Sequence, residues 1–523
     1  MAKSLSAVSQ TLISAYDKDT FQDEEKTISV NPVAADLATW YEKFRTAMDY
    51  RDDEVILRST IERILKRRLL FGGDGGTIAP PLIRELIWAR YFPDSTVAES
   101  IVSKVSDTIN LYLTFEKLLS QKTKLNKIVI NEWIIHLLSA EIEHILRPNV
   151  EEDIMSNFIF KLFKDKIDIA DDTKEIKDIQ AFIAVRRAYA NDDLALLRFH
   201  LFKQYFGSLA WENIEKISGH FPQAFSTINN HLKYPLKDRF YNFIKDQTVP
   251  FIILDDVLRK NQGKNFALTT DSDEFDMMIL RSCDARYNSV RGKVRRAILR
   301  SVIFIFFTKA IFALFVEGAF EKFLYGRILW SSITINTFMP PILMMIVGLF
   351  IQTPSRENSY RIRDKIHEVL FSDEPNLSKP LVLRKKPKKT DPLLGGLFML
   401  FWLVTFILSF GAIIVILSKL KINPLSQAVF VFFLAIVSFI SYRINRTAHM
   451  YILKDKKESF RSLAFDFFFM PFIQVGRRLT AAVAQINIIL FIFDFIIETP
   501  FKGIVAFLEQ WFLFLRTQRE KLD

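Results

Sequence analysis

Residues 289–320 read SVRGKVRRAILRSVIFIFFTKAIFALFVEGAF, a basic segment that runs without a break into a stretch of apolar residues. A helix crossing the hydrocarbon core needs about 20 apolar residues, and 301–320 meets that length. Working outward, further runs of this kind occur at 332–352, 393–418, 426–443 and 480–498, all on the C-terminal side. Residues 1–297 contain none. The pattern predicts an all-α chain with a large N-terminal cytoplasmic helical domain, 1–297, followed by a polytopic α-helical membrane domain, 298–523, of five or six spans.

Charge sets the orientation. Arg281, Arg286, Arg291, Lys293, Arg295, Arg296 and Arg300 precede the first run, with Asp284 among them. Lys and Arg beside a span are retained on the cytoplasmic side, which places the N-terminal domain inside. The loop 353–392 after the second run is again basic, with Arg384, Lys385, Lys386, Lys388 and Lys389 clustered among prolines. So is the segment after the fourth run, through Arg443, Arg446, Lys454, Lys456, Lys457 and Arg461. The intervening loops carry little charge, and an alternating topology satisfies all four. Residues 1–16 have no continuous apolar region of signal-peptide length, so the first insertion signal is the run at Ser301. The membrane expected is the inner or plasma membrane.

The C-terminal end reads less simply. Five crossings would leave the tail outside, yet Arg516, Arg519 and Lys521 favour the cytoplasm. Two shorter pieces, 463–475 and 501–515, are candidates for a sixth. The second is amphipathic, with Lys502, Glu509, Gln510 and Arg516 opposite Phe501, Ile504, Val505, Leu508, Trp511, Phe512 and Leu515, the pattern of a helix lying in the membrane interface. It is read here as interfacial, and 463–475 is left open.

The first 297 residues show helical periodicity almost throughout. Helices are expected over 53–70, from Pro80-Pro81 onward, over 125–147, 150–167, 175–190, 191–206 and 221–246, and from 272 through Arg300 into the membrane. Stacked helical hairpins are the natural arrangement, and such arrays bind proteins through extended surfaces. Residues 250–254, PFIIL, read as a short strand with no evident partner. The glycine-dense loop 72–76 follows a helix and is not followed by Lys, so it reads as a helix stop rather than a phosphate cradle. Residues 372–392 look extended.

Composition excludes several chemistries. The chain has 523 residues and 70 Lys plus Arg against 59 Asp plus Glu, and the basic excess lies near the membrane runs. One cysteine, Cys283, rules out an intramolecular disulfide or a cysteine metal cage. A single Glu141-x-x-His144 falls short of the paired motifs of a di-iron bundle, and no metal or cofactor is expected. Glycine is scarce at 16 residues, which argues against a tightly packed transport core. The basic residues Arg295, Arg296, Arg384, Lys385, Lys386, Lys388 and Lys389 suit anionic lipid headgroups, each worth about 1 kcal/mol near the surface. They lack the aromatic platforms that nucleic acid binding would add.

Ionisable residues at membrane depth are costly and often functional. At 1.5 Å per residue, Lys309 lies about 13 Å beyond Arg300 and Asp494 about 21 Å beyond Thr480. The two are expected to pair. Glu317 and Glu498 fall near the outer boundary, and Asp466 lies in the shorter piece 463–475. These five residues form the expected intramembrane polar pair or path. The leading expectation for function is a non-enzymatic, membrane-anchored scaffold that docks a cytoplasmic protein. The alternative is an ion or solute channel or transporter with a cytoplasmic regulatory domain.

Overall fold

The computed structural model describes residues 5–17, 27–28, 30–48, 56–70, 72–169, 171–265, 272–326, 330–372, 375, 380–384, 392–420, 422–453, 460–484 and 498–520. Among these the chain is helical apart from one short strand pair and an isolated bridge. The N-terminal elements are α1 (Ala7–Tyr16), α2 (Pro32–Met48), α3 (Ile56–Leu70), α4 (Gly75–Trp88), α5 (Glu99–Lys122), α6 (Lys127–Leu146), α7 (Val150–Phe163) and β1 (Ile167–Ile169). Next come α8 (Lys174–Val185) with a π turn at Arg186–Ala190, α9 (Leu194–Phe206), α10 (Ile214–Leu232), α11 (Lys237–Lys245) and α12 (Val249–Lys260).

The local chemistry explains several boundaries. Gly72 and Gly73 take positive φ after α3, and Asp74 then caps α4 in a reciprocal capping box with Thr77. The helix therefore starts five residues before the expected Pro80-Pro81, which lie inside it. Gly75 opens α4 because a Cβ there would sit 1.9 Å from the Ser106 carbonyl oxygen of α5. The expected helix 221–246 is split into α10 and α11 at residues 233–236, where Pro235 lacks an N–H to donate. Residues 250–254 are helical, not a strand: Pro250 occupies a first-turn position of α12, where its missing N–H costs nothing.

Two apolar cores fill this half. One gathers α3, α4, α5, α6, α9 and α10, with α6 packed against α3, α5 and α9. At its centre the edge of the Trp133 ring meets Phe221, 5.6 Å between centroids. Because neighbours surround it, α6 is buried on most sides rather than along one stripe. The second core joins α1, α7, α11 and α12 to the elements that follow.

Those elements are α13 (Ser272–Phe312), a π turn at Ala313–Glu317, α14 (Gly318–Tyr325), α15 (Trp330–Phe350), α16 (Arg356–Phe371), β2 (Leu381–Leu383), α17 (Pro392–Lys419), α18 (Pro424–Ala448), α19 (Phe460–Ala484) and α20 (Glu498–Glu520). Four helical stretches among the described residues are long and apolar enough to cross a bilayer: Asp273–Phe323, Ile333–Phe350, Leu394–Lys419 and Pro424–Ala448. The first is 51 residues long, about 77 Å at 1.5 Å per residue. That far exceeds a hydrocarbon core of about 30 Å, so one crossing takes up only part of this helix. Most of the fifth run, 480–498, lies outside the described residues.

The segment 353–392 is more ordered than a basic loop. Residues 356–371 form α16, and Ile362, Ile366, Val369 and Leu370 enter the second core beside α12 and α13. Farther on, β2 pairs in parallel with β1, Ile167 opposite Leu381 and Ile169 opposite Leu383. Periodicity in RENSYRIRDKIHEVLF is helical, but charge obscured it; the strand pairing is set by a contact across more than 200 positions.

Candidate functional site

The C-terminal half is held by α13, α15 and α18 packed mutually, with α19 against α18 and α17. Gly476 of α19 sits so close to α18 that a Cβ would lie 2.1 Å from the Ala435 carbonyl oxygen. Scarcity of glycine thus does not prevent close helix contact here; one glycine at the crossing suffices.

Within this bundle Lys309, Glu317, Glu321, Asn336 and Ser426 are buried. Lys309 forms an ion pair with Glu317, and the ammonium stands 5.1 Å from the Phe433 ring centroid, where a cation is attracted to the π face. The π turn makes this pair geometrically natural. Eight residues at 3.6 per turn would leave Glu317 about 80° around the helix from Lys309. At the π turn the Gly318 N–H reaches back to the Ala313 carbonyl, i to i+5. One residue is absorbed, so the phase becomes that of a seven-residue spacing and the two side chains share a face.

Neighbouring helices complete the cluster. The Asn336 Nδ2 of α15 donates to Glu317 Oε2 at 3.0 Å and to the Ser426 carbonyl at 3.0 Å. The Ser426 hydroxyl donates to Glu317 Oε2 at 3.3 Å. Asn423 caps α18 by accepting from the Ser426 N–H at 2.8 Å, while its Nδ2 donates to a Glu321 carboxylate oxygen at 2.6 Å. Pro340 and Pro341 lie inside α15 and cannot donate to the carbonyls four residues back. Those are at Asn336 and Thr337, so two backbone oxygens that lack the usual i+4 donor fall at or next to Asn336 of the same polar centre. In lipid such groups require an internal partner or a lined cavity.

Of the expected path, the structure joins Lys309 to Glu317. Asp494, the partner expected for Lys309, lies outside the described residues. Asp466 is on α19 and Glu498 begins α20, but their side chains lie outside the described set. Arg295, Arg296 and Arg384 are exposed, whereas Lys385, Lys386, Lys388 and Lys389 lie outside the described residues. Asn336, Asn423, Ser426 and Glu321 were not singled out from sequence. The signals were there: Asn336 interrupts an apolar run, and Asn423-Pro424 is a helix-start pair.

The N-terminal half has its own buried ionic network. Arg186, on the π turn after α8, donates to Asp192 from Nε at 2.8 Å and to Asp153 of α7 at 2.6 Å. Arg58 of α3 reaches Glu62 at 2.6 Å and Asp193 at 2.6 Å. Burial pushes the Glu143 carboxyl up to about 7, against the pull of Arg58, with Asp193, Glu152 and Asp192 adding to the rise. His136 Nδ1 accepts from Arg198 Nη1 at 2.8 Å, and Glu141 lies 3.6 Å from Lys203. These contacts tie α3, α6, α7, α8 and α9 together. No cluster of metal-ligating side chains occurs among the described residues.

Asp255 accepts from the Tyr16 hydroxyl at 2.5 Å, and Asp256 binds Arg286 of α13. Both aspartates thus serve helix packing. No family model, curated protein or solved structure matches this chain.

Proposed function

We propose that this is a multi-pass protein of the inner or plasma membrane whose cytoplasmic N-terminal domain serves as a rigid, non-enzymatic platform for a cytoplasmic protein partner. The observation that supports it is the shared second core. Ile279, Cys283, Tyr287, Val290 and Val294 on the soluble part of α13 are continuous with Ile362 and Ile366 of α16 and with Val429, Phe433 and Val437 of α18. Arg286 ties the junction further, binding Asp256 and donating to the Tyr451 hydroxyl at 3.1 Å. Exposed Arg295, Arg296 and Arg384 would hold anionic headgroups at the inner face.

A second reading is ion or solute transport, favoured by the buried Lys309–Glu317 pair beside a π turn and the Pro340-Pro341 break. Intramembrane ionisable groups and interrupted helices recur along transport paths. Purified full-length protein in liposomes distinguishes the two. Ion flux that disappears in Glu317→Gln would overturn the platform reading. Absence of flux, with a cytoplasmic protein retained by the intact chain and lost on changing the N-terminal surface, supports it.

A further inference from the structure

The C-terminal helix is anchored where a membrane-only helix would not be. α20 packs on α2 and beside α4 of the N-terminal domain. Its Val505 is fully buried among Ala34, Ala38 and Trp88, and the Phe501 ring stacks on Tyr41 at 4.7 Å between centroids. Lys502 is also buried, with Nζ 3.4 Å from Glu42 and 4.0 Å from Glu85. Arg63 donates to the same Glu42 at 2.9 Å, and Arg67 and Arg68 both engage Glu85.

The charged edge of this amphipathic helix therefore faces protein, while Ile504, Phe507, Trp511, Phe514 and Leu515 are exposed. A buried lysine paired this way is expensive to remove from its partners, so the docking is specific.

We infer that α20 lies on the same side of the membrane as the N-terminal domain and is a strap, clamped to that domain through Lys502, that lays its outward apolar face on the lipid surface. The inference rests on the membrane reading above and decides what it left open, the side of the C-terminus. A helix buried against α2 and α4 shares their compartment, so the chain from α13, its own crossing included, up to α20 crosses an even number of times. α19 supplies a crossing beyond the four apolar stretches: Phe472 meets Phe410 at 4.5 Å, and Gly476 meets Ala435, each near the middle of its partner helix. With that fifth passage, an even count calls for a sixth.

Lipid is the occupant the chemistry favours. In sequence the helix follows an apolar stretch and has Arg516 and Arg519 near its end, and its exposed face carries Trp511. Apolar faces with aromatic residues and flanking cations bind anionic interfaces.

The test uses the full chain with Cys283→Ala and single reporter cysteines. Ser103→Cys on the N-terminal domain and Thr517→Cys on α20 should label together, from one side of sealed membranes, and Lys419→Cys from the other. If Thr517→Cys labels with Lys419→Cys, the inference is overturned. If the first two label together from outside, only the cytoplasmic orientation fails. Ala38→Cys and Val505→Cys, which share one buried cluster, should close a disulfide with each other on mild oxidation, and failure to do so would overturn the clamp. A fluorophore on Phe507→Cys in phosphatidylcholine–phosphatidylglycerol nanodiscs should lose at least half its emission when the acyl chains are brominated. Unchanged emission would overturn the lipid contact and leave the face to a protein or a second copy.

Discussion

Removing the Lys309 ammonium while leaving Glu317 should expose how much the membrane bundle depends on their pairing. Both side chains are fully buried, and among the described residues Glu317 then keeps Asn336 and Ser426 as donors. Breaking one side of a buried pair costs about 3–5 kcal/mol, because the remaining charge stays desolvated. Two surviving hydrogen bonds put Lys309→Met at the lower end, about 3 kcal/mol, roughly two decades in the folded-to-unfolded ratio. Lys309→Met/Glu317→Gln removes both charges and retains an amide that accepts from Asn336, so it should recover most of that loss. The assay is unfolding of purified protein in mixed micelles, read by circular dichroism, as a double-mutant cycle with Glu317→Gln alone. A coupling energy within about 0.5 kcal/mol of zero would refute the pairing.

Three further outcomes follow from single positions. Gly476→Ala should cost about 1–3 kcal/mol by overpacking against the Ala435 carbonyl, whereas Gly411→Ala, with nothing within 4 Å of its added methyl, should be neutral or stabilising in the same unfolding assay. For Glu143 the folded carboxyl is raised to about 7, so the folded state holds more protons than the unfolded one above the ordinary glutamate range. Its contribution is complete below about 4.3 and is lost as pH rises through about 7. Thermal unfolding between pH 5 and 8 should therefore show falling stability that Glu143→Gln flattens, by at most about 3 kcal/mol. Cys283 is buried, and burial pushes its thiol up to about 12. A thiol reagent should therefore leave the native protein unmodified and react only after denaturation; prompt labelling of native protein would contradict its place in the core.

Much of the architecture was legible because it follows from local pattern. Apolar runs of span length and the continuity of 272–300 into the first run each depend on one short window of residues, and the helices bear out that continuity and four of the five runs. Where the reading failed, a neighbour had outweighed the window. Residues 250–254 are as apolar as a buried strand, and a helix and a strand cannot be told apart over so short a run. The core around α12 accepts them as helix. Residues 356–371 carry so many charges that their periodic isoleucines were overlooked, yet those isoleucines build the junction with α13.

The polar centre divides the same way. Hydropathy and charge found Lys309 and Glu317 as residues that lipid would not tolerate alone, because desolvation is a property of each group. Their pairing was not visible, since it turns on a single π turn that shifts the helix phase by one residue and on Asn336 and Ser426 arriving from other helices. Likewise the amphipathic pattern of α20 is local, but the face that meets protein is decided by Glu42 and Glu85, far away in the chain. Burial cost is written residue by residue; which partner offsets it depends on geometry assembled from distant segments.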